Sequence, residues 1–435
     1  MKSIWLEDSK KRNYPSLKGE NDTDVLIIGG GLSGLSLAYE LRDSSYRILL
    51  LEQNRLYHAT TGYTTGKVTF QHGKIYSRLC KDFGEKTARA YYKGNREAIA
   101  HLEDIIGREK IDCDYSRCDT VLYLNRKDAE EEKTAYRKLG IGFEESPSGG
   151  SIGLKVRNQA VFHVVKYLDG ILNALEGNPA VSVYENSKVE RVSGKTAYGK
   201  DFRVHAKFIV FASAYPCYRR FNFYFLRLRP SLSFIGAAKT EQGSSFAGIR
   251  EDKPVFSFRP LNGEQMLFAG YSEETRHFPS YRDIALLEKT AQESFRASPF
   301  FNVWVNQDYA SVEGKPLIGR IKENLFFAGG YNKWGISTSV LASMILKDLI
   351  LRGESEYEAV FSLKKDRRYL PVIMSFFGNV PTFIRSRIPL GKKKCTHLHC
   401  GLRYNPVSKT FDCPCHGSRF DEAGKNLIGP AKKDL

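Results

Sequence analysis

The sequence predicts an α/β protein with a sheet-based α+β domain inserted into it and a small loop-rich segment at its C-terminus. Three observations carry this. A strand, a glycine turn, a helix and a second strand follow one another over residues 24–52. A further strand–glycine–helix run lies far along the chain, at residues 324–351. Two Cys/His pairs stand within residues 395–435. The 435 residues suffice for two to three domains, and 42% apolar with 12% aromatic content fits a globular protein. No apolar run reaches membrane-span length, so no integral membrane segment is expected. Residues 1–23 read as a tail. Its start, Met1–Lys11, lacks the apolar core of a secretion signal, which points to a cytoplasmic location.

In the first unit, Asp24–Ile28 is an apolar strand and Gly29-Gly30-Gly31-Leu32-Ser33-Gly34 follows at once. Leu35–Arg42 reads as helix and Arg47–Leu51 as strand, ending at Glu52, 18 residues past Gly34. This is the Rossmann-like pattern. Gly29 permits the turn, Gly31 lets the backbone approach a pyrophosphate, and Gly34 lets helix and strand pack closely. The helix N-terminus offers free N–H groups to phosphate, and Glu52 can accept from a ribose. No second such unit appears; Gly149–Gly153 reads as a loop. One unit fits FAD alone rather than a reductase that also binds NAD(P)H.

The distal run comprises a strand over Asn324–Phe327, the turn Ala328–Ile336 and a helix from about Ser337 to Leu351. Gly314–Gly319 lies just upstream. Residues 89–145 and 224–298 interrupt the pattern. The second stretch holds candidate strands at Ser231–Ala238, Val255–Arg259 and Gln265–Ala269. Residues 371–394 read as a linker, with an apolar piece over Val372–Ile384 packed on the enzyme body. Cys80, Cys113, Cys118 and Cys217 show no metal or redox spacing and read as core thiols.

At the C-terminus, Cys395-Thr396-His397 and Cys413-Pro414-Cys415-His416 are separated by fifteen residues. Two Cys and two His in this spacing form the ligand set of a Rieske [2Fe–2S] cluster, cysteines on one iron and histidines on the other. Tetrahedral zinc is the alternative. A zinc ribbon needs neither the extra pair Cys400 and Cys415 nor the Gly417-Ser418 turn.

The runs Cys395–Cys400 and Cys413–Asp421 resemble the two cluster-binding loops of the Rieske family. The resemblance implies Cys395, His397, Cys413 and His416 as ligands, and a disulfide between Cys400 and Cys415. A disulfide sits awkwardly with a reducing cytoplasm. Three departures stand out. His399 replaces a usual Gly. Phe420 replaces a Tyr that bonds a ligand sulfur in high-potential members, which implies a lower potential. No run of strands precedes Cys395, so only a shortened cluster-binding segment, 395–435, is expected.

Residues 24–370, with Thr60–Lys67 and Ile209–Pro216 added to the two glycine segments, resemble the D-amino-acid oxidase/glycine oxidase-like FAD oxidoreductases. The closest subgroup in resemblance is the bacterial enzymes fused to a C-terminal Rieske domain. The resemblance implies that Gly29, Gly31, Ser33, Gly34, Glu52, Thr64, Thr65, Gly329, Gly330, Gly335 and Ile336 hold FAD, and that the insertions form a substrate domain. Arg259 becomes a candidate grip for a substrate carboxylate, or else a structural salt bridge. His72 is a candidate near the flavin, or else a structural hydrogen-bonding residue. Tyr331 and Trp334 line the pocket or pack in the core.

Together these imply oxidation of a small amine or amino acid by hydride transfer to FAD, with electrons leaving singly through the cluster. The alternatives are reversed flow, from cluster to FAD, and a redox sensor built on Cys400 and Cys415. Net charge is +17, and residues 385–435 carry eleven Lys/Arg against four Asp/Glu. Such a surplus suits an acidic electron-transfer protein as acceptor. No nucleic-acid module is recognisable, so no nucleic-acid partner is expected.

Overall fold

The computed structural model describes residues 2–7, 12–148, 150–217, 227–241, 243–274, 280–363 and 393–435. The expected linker lies outside these residues except for Lys393 and Lys394.

The first sheet is mainly parallel. Its order is Leu317–Lys322, Leu325–Gly329, Phe202–Phe211, Gly19–Ile28, Ile48–Leu51 and Val181–Tyr184. Its central strands are apolar on both faces, as a sheet covered on both sides requires. The glycine-turn helix Leu32–Leu41 packs against the distal helix Gly335–Leu351, bringing the two glycine segments together. The first strand starts at Gly19 rather than Asp24. Gly19–Thr23 pair in parallel register with Phe202–Ala206, a ladder that polar side chains do not advertise.

The insertions join into one nine-stranded sheet. Phe246–Arg250 from the second pairs in parallel with Ser116–Leu124 from the first. The sheet outruns both expected boundaries, taking in Ser151–Val161 and the strand Asn302–Ser311. Ser151–Gly153, expected as loop, open a strand, because Glu144–Ser148 folds back on them as a hairpin.

A third sheet of four short antiparallel strands runs Arg403–Asn405, Thr410–Asp412, Arg419–Asp421 and Asn426–Ile428. It has its own small core, which includes Cys395, Cys400, Leu402, Cys413 and Phe420. Among the described residues, no helix is long and apolar enough to cross a membrane.

Candidate functional site

A cavity of about 800 Å³ is lined by residues of all three sheets. At one end lies the first glycine turn. A Cβ on Gly29 (φ 121°) would stand 2.4 Å from the Ala212 carbonyl oxygen, and one on Gly34 would stand 1.9 Å from the Gly29 oxygen. Only glycine lets turn, strand and helix meet there. Glu52 lines the cavity, its oxygens accepting from the Gly30 and Asn54 backbone N–H groups, both at 2.9 Å. Burial pushes its carboxyl up. Each oxygen keeps a lone pair for a ribose hydroxyl. Ser33 Oγ bonds the Tyr331 hydroxyl at 2.7 Å and Ser339 Oγ at 2.9 Å, tying the first glycine turn to the distal segment. Thr64, Thr65, Gly329, Gly330, Gly335 and Ile336 all line the same cavity. Asn332 and Lys333 turn the chain into the distal helix at φ 53° and 72°, a left-handed pair placed beside the site. The cavity thus offers two helix N-termini and a glycine-lined floor, a cradle suited to a dinucleotide.

Two expected side chains have structural work instead. Arg259 does not line the cavity. Its Nε donates to the Pro260 carbonyl at 2.6 Å, and its Nη1 to those of Thr65 (3.1 Å), Gly66 (3.0 Å) and Phe162 (3.1 Å). The guanidinium clamps the Thr65–Gly66 loop through Nη1. His72 does line the cavity and stacks on Trp334, ring centroids 5.0 Å apart. Its Nε2 donates to the Thr69 carbonyl at 2.7 Å, so its Nδ1 accepts from the Tyr91 hydroxyl at 2.6 Å. Burial pushes it down to about 3, so the ring stays neutral at physiological pH.

Charged residues not among the candidates also line the cavity: Lys67, Lys74, Arg78, Glu251, Asp308 and Lys333. Lys67 Nζ lies 5.8 Å from the Trp334 ring centroid and makes no ion pair among the described residues. Burial, aided by the nearby Arg259 guanidinium, pushes its amine down to about 7. Asp308 accepts from the Lys333 backbone N–H at 2.6 Å and is pushed up by burial. The legible signal was a lysine closing a Thr/Gly loop with no acid nearby. Asp308 lies far along the chain on a polar strand and gave none.

In the third sheet, Cys395, Cys413 and His416 are buried and His397 is half-buried. The two imidazoles meet with centroids 5.2 Å apart. Burial pushes both down, His397 to about 4, favouring the neutral form that binds metal. The Cys413 thiol donates toward Cys395, holding that thiol down at about 7, and the His397 backbone N–H points at Cys395 Sγ at 3.5 Å. Two thiols and two neutral imidazoles at adjoining loop tips fit a Rieske cluster. His399 is exposed at φ 57°, the left-handed conformation that explains a usual glycine there. The disulfide expected between Cys400 and Cys415 is not formed. Instead the sulfurs of both lie with that of Cys413 within 4.8 Å of one another, in side-chain hydrogen-bond contact with it.

The two sites share a wall. From the strand Asn302–Ser311, Gln307 Nε2 donates to the Gly417 carbonyl at 2.7 Å, and the Tyr309 hydroxyl lies 3.3 Å from the His416 carbonyl. Asn306, Asp308 and Tyr309 on this strand line the cavity.

Residues 24–349 match the model of the FAD dependent oxidoreductase family. The chain belongs to that family. FAD is accordingly the dinucleotide of this oxidoreductase. Residues 385–435 match the Rieske [2Fe-2S] domain, which supplies the cluster. The chain is 29% identical to the "Putative Rieske 2Fe-2S iron-sulfur protein YhfW" of Bacillus subtilis, covering 100% of this chain and 96% of that protein. It is 50% identical over 48 residues, 11% of this chain and 27% of the relative, to "Cytochrome b6-f complex iron-sulfur subunit 2" of Trichormus variabilis. The crystal structure of glycine oxidase from Geobacillus kaustophilus superposes with a TM-score of 0.67 at 18% identity, covering 80% of this chain and 99% of that one.

Proposed function

We propose that this oxidoreductase oxidises a small amine or amino acid and passes the electrons one at a time through its cluster to an acidic carrier protein. The shared wall carries the reading: one strand lines the flavin cavity and also holds the backbone at His416. Bound FAD supplies a hydride acceptor, and the bound cluster a one-electron carrier.

The chain's own residues do the rest. Gly29, Gly31, Ser33, Gly34, Glu52, Thr64, Thr65, Gly329, Gly330, Gly335 and Ile336 hold and orient the dinucleotide. Cys395, Cys413, His397 and His416 hold the cluster. Trp334, backed by His72, walls the chamber. An amine must lose its ammonium proton before it can be oxidised, and Lys67 Nζ, poised near neutrality in that chamber, takes it up. The buried His416 loop faces the flavin side and the half-buried His397 loop faces outward. This arrangement favours entry at one edge of the cluster and exit at the other. The basic surplus around it suits an acidic acceptor.

Replacing His416 with Ala tests the relay. Substrate should still bleach the flavin, while reduction of a one-electron carrier such as cytochrome c should fall at least about a hundredfold, the scale of losing a metal ligand's support. Carrier reduction at the parent rate would contradict the relay.

A further inference from the structure

The far end of the flavin cavity is closed by the cluster module. Leu427, Ile428 and Gly429, the end of its edge strand and the residue after it, line the cavity beside Gln53 and Val189. Gln53 directly follows Glu52, the acid suited to a ribose. Ile428 packs into an apolar cluster that contains Val189 and is edged by Tyr215. A Cβ on Gly429 would stand 3.6 Å from the Tyr215 side chain, so the two surfaces are in close contact.

The module is pinned from several directions. Gln53 Nε2 donates to the Leu427 carbonyl at 2.7 Å, and the Tyr309 hydroxyl to that of Gly429 at 2.6 Å. Lys188 Nζ donates to Asn426 Oδ1 at 3.2 Å. Lys432 Nζ reaches back to the Cys217 carbonyl at 2.8 Å and that of Glu190 at 3.2 Å. Neither Lys188 nor Lys432 lines the cavity.

Resting on the FAD reading above, we propose that Leu427, Ile428 and Gly429 of the cluster module form one wall of the seat for FAD's adenosine half. The cluster module is then part of the flavin site, not only its electron outlet. A purine ring is flat and apolar on its faces, and the Val189–Ile428 surface supplies an apolar wall one residue beyond the ribose acid. Because coupling between two equilibria is reciprocal, a loosened module releases FAD, and bound FAD holds the module down.

The test uses the full-length holoprotein. Bound FAD is diluted out and its release followed by flavin fluorescence, with ADP as a competing probe of the adenosine half. Cluster content is read in parallel by EPR. Ile428→Glu should weaken FAD retention about tenfold and ADP competition by the same factor. The double variant Lys188→Ala/Lys432→Ala loosens the dock without touching the cavity. It should weaken FAD retention about threefold with the Rieske signal per chain unchanged. Unchanged retention in the double variant overturns the proposal, whatever Ile428→Glu does. Weakened FAD retention with unchanged ADP competition overturns the adenosine assignment. Neither readout involves turnover, so failure of the electron relay leaves this result standing, and its failure leaves the relay standing.

Discussion

The two cofactor sites of this chain are built in opposite ways. The donors proposed for the cluster come from two loops spanning residues 395–416, held over a small core of their own. The flavin cavity is assembled from segments as distant as Gly29 and Gly429, and every sheet contributes a wall. The lesson concerns cooperativity. A local site stands or falls with two loops, whereas a site closed by remote pieces depends on how whole domains dock.

Substitutions at the two sites should therefore fail differently. The largest effect is expected at Gly34. Replacing it with Val puts side-chain atoms onto the Gly29 carbonyl, a backbone contact with no flexible neighbour to yield. Overpacking of this kind costs on the order of 3 kcal/mol. The flavin bands should vanish and the first thermal transition should fall, while the Rieske EPR signal persists in whatever protein folds. A normal flavin spectrum would break the comparison.

Next comes Arg259→Met, which leaves four backbone carbonyls without their charged donor, at about 1–3 kcal/mol for each buried group left unmet. Thermal stability should drop by several degrees, with the KM of any carboxylated substrate unchanged in the folded fraction. A large rise in KM at parent stability would restore the carboxylate grip.

A smaller effect separates Lys67 from His72. Burial pushes the Lys67 amine down to about 7, so it is charged below about pH 7 and neutral above it. The neutral form takes up a proton, so flavin bleaching by an amine substrate should rise with pH through about 7. Lys67→Met should remove that limb and lower the rate about a hundredfold, the usual contribution of a positioned base. His72, held neutral down to about 3, should add no limb near 6.5. A limb near pH 7 that survives in Lys67→Met would assign the proton to another group.

These contrasts also say what was legible in the sequence. Gly29–Glu52 and Cys395–His416 could be read because each packs its chemistry into a short, ordered spacing. The candidate strands at Ser231–Ala238 and Gln265–Ala269 could be read because their apolar runs are long; they fall within Leu228–Lys239 and Gln265–Glu274. Arg259 stayed open between two roles because a charged residue's partners are decided by tertiary contact, here the Thr65, Gly66 and Phe162 carbonyls remote in sequence besides that of Pro260. Asp308 and Lys188 were missed for the same reason. The dock of Ile428 on the Val189 cluster could not be read at all, since neither residue carries a signal outside the fold.

The central claim is that one strand couples the two sites. It is tested most directly by anaerobic illumination of the holoprotein with oxalate, which reduces bound flavin without a substrate, followed by EPR of the cluster. The account predicts a Rieske-type signal of low average g that grows as the flavin signal decays, at a rate independent of protein concentration. A cluster that stays oxidised beside reduced flavin, or one reduced at a rate proportional to protein concentration, would contradict it.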